Sequence, residues 1–97
     1  MGEKLIITAA LAGGATTKAN NPNTPYTPEE FAAEAKKCME NGVSIVHIHA
    51  KDPNSGFATP DLKYIRPTIE AIRDACPALI INMSSAITVG LTPEQRL

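Results

Sequence analysis

Two histidines stand two residues apart near the end of an apolar run, "SIVHIHAKDP", which extends from Ser44 to Pro53. Alternate residues of a β-strand point to the same face, so His47 and His49 share a face at the carboxyl end of this predicted strand. Neutral imidazole is the commonest metal ligand in proteins and suits zinc. The spacing therefore indicates a zinc site, and it fits equally well a pair of hydrogen-bonded core histidines, or a catalytic histidine beside a structural one.

A catalytic zinc usually has three protein ligands and one open position. Asp52 follows the histidines in a loop and is one candidate, although a carboxylate in such a place more often caps a turn. We expect the third ligand to come from a strand absent from this sequence. Two alternatives remain open, namely an aldolase-type barrel enzyme that uses the histidines as acid and base, and a non-catalytic chain that binds metal loosely.

Other polar side chains are expected at the same end of the sheet. "NMSSAITVG" follows the third apolar run, so Ser84 and Ser85 lie at its tip and Asn82 shares the face of Ser84. The serines could hydrogen-bond a substrate carboxylate or carbonyl, and ordinary turn formation explains them equally well. After the first run comes the glycine-rich segment "LAGGATTKANNP", either a flexible substrate loop or a plain connection. Its possible anion contacts are Thr16, Thr17 and Asn20.

Three short apolar runs predict the strands. They are Lys4–Leu11, Val43–Ala50 and Ala78–Ser85. Because they are apolar on both faces, they are typical of a parallel sheet rather than an alternating antiparallel one. Each is followed by a Thr-Pro step, and these steps recur at intervals of about 32 residues.

Each Thr-Pro step predicts a helix start, with threonine as N-cap and proline at the first helical position. Thr27 with Glu30, and Thr92 with Gln95, form the capping-box pattern. Asn41-Gly42 predicts the end of the first helix. Pro67 predicts a kink, or a break into two pieces, in the helix that starts at Thr59.

The resulting β-α-β-α-β order fits two architectures, an open doubly wound sheet or a (β/α)8 TIM barrel. The repeat length favours the barrel, in which each unit takes about 31 residues. No GxGxxG or GxxxxGK loop supports a nucleotide-binding open sheet. We interpret residues 1–97 as the amino-terminal part of one barrel domain, completed by further chain or by assembly. Three strands with open edges should be marginally stable or aggregation-prone alone.

Composition narrows the classes of function. With 97 residues, a net charge of −1 and 43% hydrophobic content, the sequence gives no electrostatic case for nucleic acid or an anionic membrane. It has no apolar run near the ~18 residues of a membrane span. Cys38 and Cys76 are expected to be buried free thiols, which points to a cytoplasmic protein.

The motifs "LIITAALAGGATTKANNPNTPYTPEE", "VHIHAKDPNSG" and "NMSSAITVG", in this order, resemble the beta-keto acid cleavage enzymes. The resemblance covers the whole chain but only the amino-terminal third of the usual family length. It implies a zinc-dependent TIM barrel, usually a homotetramer, that converts a beta-keto acid and acetyl-CoA into acetoacetate and a new CoA ester. It also implies that His47 and His49 ligate zinc with a later glutamate, and that Ser84 contacts the keto acid.

Two departures from the family pattern concern the substrate. Members of the lysine-fermentation pathway carry a glutamate just before "TT" in the first loop, where it helps to bind the substrate amino group. Here this residue is Ala15, and the glycines of the family's "STGG"-like turn are replaced in Ser84–Ile87. The resemblance with this change implies a neutral or different keto acid rather than 3-keto-5-aminohexanoate.

Overall fold

The computed structural model describes residues 4–84 together with Thr92 and Glu94. The elements are β1 (Thr8–Ala10), α1 (Pro28–Glu40), β2 (Ile45–Ile48), α2 (Leu62–Ala75) and β3 (Ile80–Met83). The predicted β-α-β-α-β order is confirmed. Gln95 lies outside the described residues, so the second capping box stays a prediction.

The three strands form one parallel sheet in the order β1-β2-β3. Each strand is shorter than predicted, and the bounds Lys4–Leu11, Val43–Ala50 and Ala78–Ser85 were too wide. The backbone groups of a strand need hydrogen-bond partners on a neighbouring strand. The regular pairing of β1 with β2 starts only at Thr8, so the apolar residues before it are not part of the strand. Leu5 and Ile6 are 79% and 73% exposed. Apolar composition therefore marks where a strand lies without fixing its ends.

The start of α1 follows the predicted capping box. Thr27 Oγ1 accepts a hydrogen bond from the Glu30 amide at 3.1 Å, and Glu30 Oε1 accepts one from the Thr27 amide at 3.0 Å. Asn41 is the C-cap, and Gly42 follows with φ of 95°, a left-handed conformation that glycine adopts without strain. Both predicted ends of this helix are confirmed.

The Glu30 carboxylate should make stability depend on acid pH. Its hydrogen bond from Lys18 (2.7 Å), helped by the amide of Thr27, lowers its pKa from 4.5 to about 2. Since the folded pKa is the lower one, the stabilisation is complete above pH ~5 and is mostly lost by pH ~2.5. Glu30→Gln should lower the free energy of unfolding by about 1 kcal/mol at pH 7.

Urea denaturation of both proteins at pH 7 and near pH 2.5 measures this effect. The difference in unfolding free energy between the two proteins should be smaller at the lower pH. Near pH 2.5 the unfolded wild-type protein binds a proton at Glu30, and this proton uptake favours unfolding. Glu29→Gln, which removes an exposed carboxylate from the same helical turn, is the matched control and should have the smaller effect at pH 7. A gap for Glu30→Gln that does not change with pH would contradict the assignment.

The start of α2 differs from the prediction. The N-cap is Asp61, whose side chain accepts from the Lys63 amide at 3.0 Å, and not Thr59. Thr59 remains bound to the end of the β2 region, because its amide donates to the Ala50 carbonyl. Its hydroxyl accepts from the Asp61 amide instead of from a helical residue. A stronger cap two residues later therefore sets the start of the helix.

Pro67 does not divide α2. The helix is one element from Leu62 to Ala75, so the predicted break into two pieces is wrong, whereas the alternative, a kink, stays a prediction. A proline at this position removes one i→i−4 hydrogen bond, the one to the Lys63 carbonyl. Lys63 and Pro67 are both exposed, so water can satisfy that carbonyl. The helix loses one hydrogen bond and keeps its continuity.

Both helices cover the same face of the sheet. The core joins residues of α1, α2 and β2, among them Phe31, Ile72, Val46 and Ile48, all fully buried. The opposite face is open, and Ile80 there is 57% exposed. Alternation along β2 therefore separates a helix-covered apolar face from an uncovered face that carries the histidines.

The cysteines are free, as predicted, but only one is deeply buried. Cys76 is the C-cap of α2 and is fully buried, whereas Cys38 on α1 is half-buried. No helix within residues 4–84 is long and apolar enough to cross a membrane.

Candidate functional site

The candidate site lies on the open face at the carboxyl end of the sheet. The register pairs His47 with Ala10 on one side and with Asn82 on the other. His49 follows β2 directly, on the same side of the chain as His47. The parallel strands thus bring the predicted histidines to the end where α/β proteins bind their ligands.

The two imidazoles face each other closely. Their ring centroids are 5.4 Å apart and the ring planes meet at 87°. His47 Nδ1 lies 3.2 Å from Asn82 Oδ1. An amide oxygen can only accept, so Nδ1 carries the proton and Nε2 keeps a free lone pair. Metal-binding histidines are usually oriented in this way by a partner on the other ring nitrogen.

His49 supplies a second nitrogen. Its Nδ1 is buried and has no hydrogen-bond partner among the described residues. Burial lowers the pKa of His49, and electrostatic interactions with His47 and Lys51 lower it further. The neutral imidazole that binds metal is therefore the form favoured at neutral pH. A buried polar atom without a partner costs free energy, which a bound metal ion would recover. The pair fits a zinc ion on these grounds.

Ser84 also reaches this end of the sheet. Its amide donates to the Ile48 carbonyl at 3.0 Å, and it follows the last register pair, Ile48 with Met83. It therefore stands beside His49, and it is 8% exposed. The predicted neighbourhood of Ser84 and the histidine strand is confirmed. Ser85 lies outside the described residues.

Asp52 does not join the histidines. Its carboxylate accepts from the Asn54 amide at 2.9 Å, and its carbonyl accepts from the Gly56 amide. It is thus a turn residue, the more common role that the sequence indicated. The described residues contain no group of three or more His, Cys, Asp or Glu side chains able to hold a metal. A third protein ligand would have to come from outside this part of the chain.

A buried lysine borders the same site. Lys51 Nζ donates to the carbonyl oxygens of Gly13 at 2.6 Å and of Thr16 at 2.7 Å, and the residue is only 1% exposed. Burial lowers the pKa of its ammonium group. Sequence reasoning missed this residue. Lys51 continues the spacing of His47 and His49 by two more residues, and that continued alternation was the available signal.

The glycine-rich segment after β1 is tied to the loop after β2. The Gly14 carbonyl accepts from the Ala58 amide at 3.2 Å. Farther along, the Tyr26 hydroxyl accepts from the Lys18 amide at 2.6 Å, and a Cβ at Gly56 would collide with the Tyr26 ring. Of the predicted anion contacts, Thr17 and Asn20 bond to each other. These contacts hold the segment between β1 and α1 in place.

A sequence model of the beta-keto acid cleavage enzyme family matches residues 4–97. This chain belongs to that family. The membership predicted from the motifs is confirmed, and the family consists of enzymes whose named members cleave keto acids or transfer groups to acetyl-CoA.

Similar proteins carry the names of several related activities. The chain is 44% identical over 98% of its length to the 3-keto-5-aminohexanoate cleavage enzyme of Acetoanaerobium sticklandii, covering 34% of that protein. It is 47% identical over 100% of its length to the enzyme of the same name from Fusobacterium nucleatum, covering 35%. A 3,5-dioxohexanoate:acetyl-CoA acetone transferase from Paraburkholderia graminis is 32% identical over 97% of the chain, which covers 30% of it. The chain thus spans about a third of the length of these relatives.

Proposed function

We propose that this chain forms part of a zinc-dependent beta-keto acid cleavage enzyme. The reaction takes a beta-keto acid and acetyl-CoA. The acyl group of the keto acid moves to CoA, and the acetyl group joins the remaining carboxymethyl carbon as acetoacetate. The observation that carries the proposal is the paired imidazoles at the carboxyl end of the sheet, one oriented by Asn82 and the other with a buried Nδ1 that has no partner among the described residues.

The proposed complete domain is a TIM barrel. A sheet in the order β1-β2-β3 with both helices on one face is common to a barrel segment and to half of an open sheet. The open face supports the barrel. In an open sheet a second helix layer would pack against that face, and His47 and Asn82 at its carboxyl end are poor partners for apolar helices. In a barrel the same residues line the interior near its mouth.

His47 and His49 are proposed to hold the zinc ion, with a third ligand, a glutamate in the family, from outside residues 4–84. When bound, the zinc would act as a Lewis acid that stabilises negative charge on the keto oxygen. Asn82 keeps His47 in the tautomer that presents Nε2. Burial of His49 keeps its imidazole neutral, so a proton does not compete for the ligating nitrogen.

Ser84 and Ser85 are proposed to orient the substrate. Support for Ser84 comes from its position directly after β3 and next to His49, where its hydroxyl could meet a keto or carboxylate oxygen. Ser85 is included from its sequence position alone. Holding the substrate in one orientation next to the metal is the main contribution expected from these residues.

The substrate is proposed to be a keto acid without an amino group. Ala15 occupies the position where family members acting on 3-keto-5-aminohexanoate carry a glutamate, so a substrate ammonium would have no carboxylate partner there. The relatives are named for different beta-keto acids, and this variety supports a substrate other than 3-keto-5-aminohexanoate. The active form is proposed to be a homo-oligomer, as the family resemblance implies, in the cytoplasm.

The test combines metal analysis with a reaction assay. Purified protein should retain zinc after dialysis and should form acetoacetate from acetyl-CoA and a beta-keto acid that has no amino group. Removal of zinc with a chelator should abolish this activity, and added zinc should restore it. Turnover of a keto acid by zinc-free protein would favour the aldolase-type alternative instead, and zinc-loaded protein without transfer activity would overturn the proposed reaction.

A further inference from the structure

Lys51 is placed where a lysine is costly to keep. Its side chain is almost wholly enclosed, and no carboxylate among the described residues pairs with it. Burying an ammonium group costs several kcal/mol unless hydrogen bonds replace the lost water. Here both acceptors are backbone carbonyl oxygens, those of Gly13 and Thr16. An apolar residue could fill the same space, so we expect the charged group of Lys51 to have a specific function.

That function concerns the loop between β1 and α1. The carbonyls of Gly13 and Thr16 lie on either side of Gly14 and Ala15, so one ammonium group fixes both ends of a short bend. The Gly14 carbonyl in the middle is bound by the Ala58 amide. Backbone of the loop is therefore fastened at three points to the segment that follows β2, the strand of the histidines.

We propose that Lys51 is a positioning residue that fixes the bend Gly13–Thr16 beside the histidine pair, so that the exposed Ala15 forms a preset wall of the substrate site. The proposal rests on the proposed function for the identity of that site. Lys51 stays two residues from His49 along the same chain, so the bend and the metal ligands are held by one short segment. The loop is then already ordered before substrate binds. Binding loses less conformational entropy, and the affinity for substrate is higher.

The proposed role separates substrate binding from metal binding. Removing the ammonium group should release the bend and leave both imidazoles and Asn82 in place. The expected effect is a higher KM for the keto acid, with kcat less affected, because the loop contributes to binding before and during the reaction. Zinc content should not change.

The experiment compares Lys51→Met with wild-type protein by amide hydrogen exchange, zinc analysis and steady-state kinetics. In Lys51→Met we expect exchange at the Ala58 amide to rise about tenfold or more, with a KM rise of about tenfold at unchanged zinc content. Lys51→Gln keeps one donor group and should shift both quantities less in the same direction. Lys51→Arg keeps the cation and should restore most of the protection. Lys36→Met, an exposed lysine on α1, is the control and should change neither.

Three results would overturn the proposal. One is unchanged exchange at Ala58 in a folded Lys51→Met protein. Another is a released loop with KM and kcat both unchanged, which would show that the bend does not contact substrate. The third is loss of zinc together with the rise in KM, which would assign Lys51 to the metal site. If wild-type protein holds no zinc and lacks transfer activity, the proposed function fails, while the exchange result still decides whether Lys51 fixes the bend.

Discussion

His49→Ala should lower the zinc affinity of the protein by more than about 100-fold, and His47→Ala should do the same. Loss of a residue that merely supports a ligand costs about 10–100-fold, and removal of a ligating nitrogen should cost more. His49 is the more informative position, because its buried Nδ1 has no partner among the described residues and alanine removes that atom altogether. Competition with a chromophoric chelator gives the affinity, and metal analysis after dialysis gives the stoichiometry.

Two further variants make this test specific to the histidine pair. Asn82→Ala removes the acceptor that orients His47 and should cost about 10–100-fold in affinity. Asn82→Asp keeps an acceptor oxygen and should be milder. Asp52→Asn changes the nearby loop carboxylate, which is occupied in a turn, and should leave zinc affinity unchanged. Histidine variants that keep wild-type affinity while Asp52→Asn loses it would place the metal in the loop instead.

Helix α1 could be predicted in full, whereas the sheet and α2 could be predicted only in part. The start and end of α1 depend on contacts between residues a few positions apart, such as Thr27 with Glu30, so the local sequence contains them. Strand ends depend on hydrogen bonds to another strand, and Leu5 and Ile6 look like strand residues until pairing is known. At α2 two caps compete, and the bond from Thr59 to Ala50 decides between them.

The same distinction applies to the candidate site. The histidine pair follows from the two-residue period of a strand and needs no tertiary information. The contact of His47 with Asn82 depends on the register of β3 against β2, which composition does not set. Lys51 was missed because a lysine after a strand is normally exposed, and its burial results from contact with a loop residue, Gly13, that lies 38 positions earlier. Long-range contacts thus supply the supporting residues, while local pattern supplies the candidate ligands.

The arrangement of the sheet explains how histidines can lie on a face that neither helix covers. The apolar side of β2 is covered by α1 and α2, and the core of the described residues lies on that side. Ile80 and Ile45 on the other side are only partly covered and add little to its stability. An exposed polar residue such as Asn82 can therefore occupy the uncovered face at small cost. This division predicts that mutations on the two faces will have very different effects on stability.

Phe31→Ala tests that division and should be strongly destabilising. Phe31 is fully buried between α1 and the sheet, and Phe→Ala changes in protein cores cost about 3–5 kcal/mol because they leave a cavity. Domains are stable by only about 5–15 kcal/mol, so a loss of this size is a large share of the total. The variant should therefore be largely unfolded or show a much lower urea midpoint at an unchanged slope.

The control is the same substitution on the surface. Phe57 lies in the loop after β2 and is 53% exposed, so Phe57→Ala removes the same atoms without opening a core cavity, and it should cost less than about 1 kcal/mol. Equal losses for the two variants would contradict a core confined to the helix-covered face. A large loss for Phe31→Ala alone would show that packing of α1 on β2 holds the strand that carries His47, so that zinc affinity should fall in this variant in proportion to its unfolded fraction.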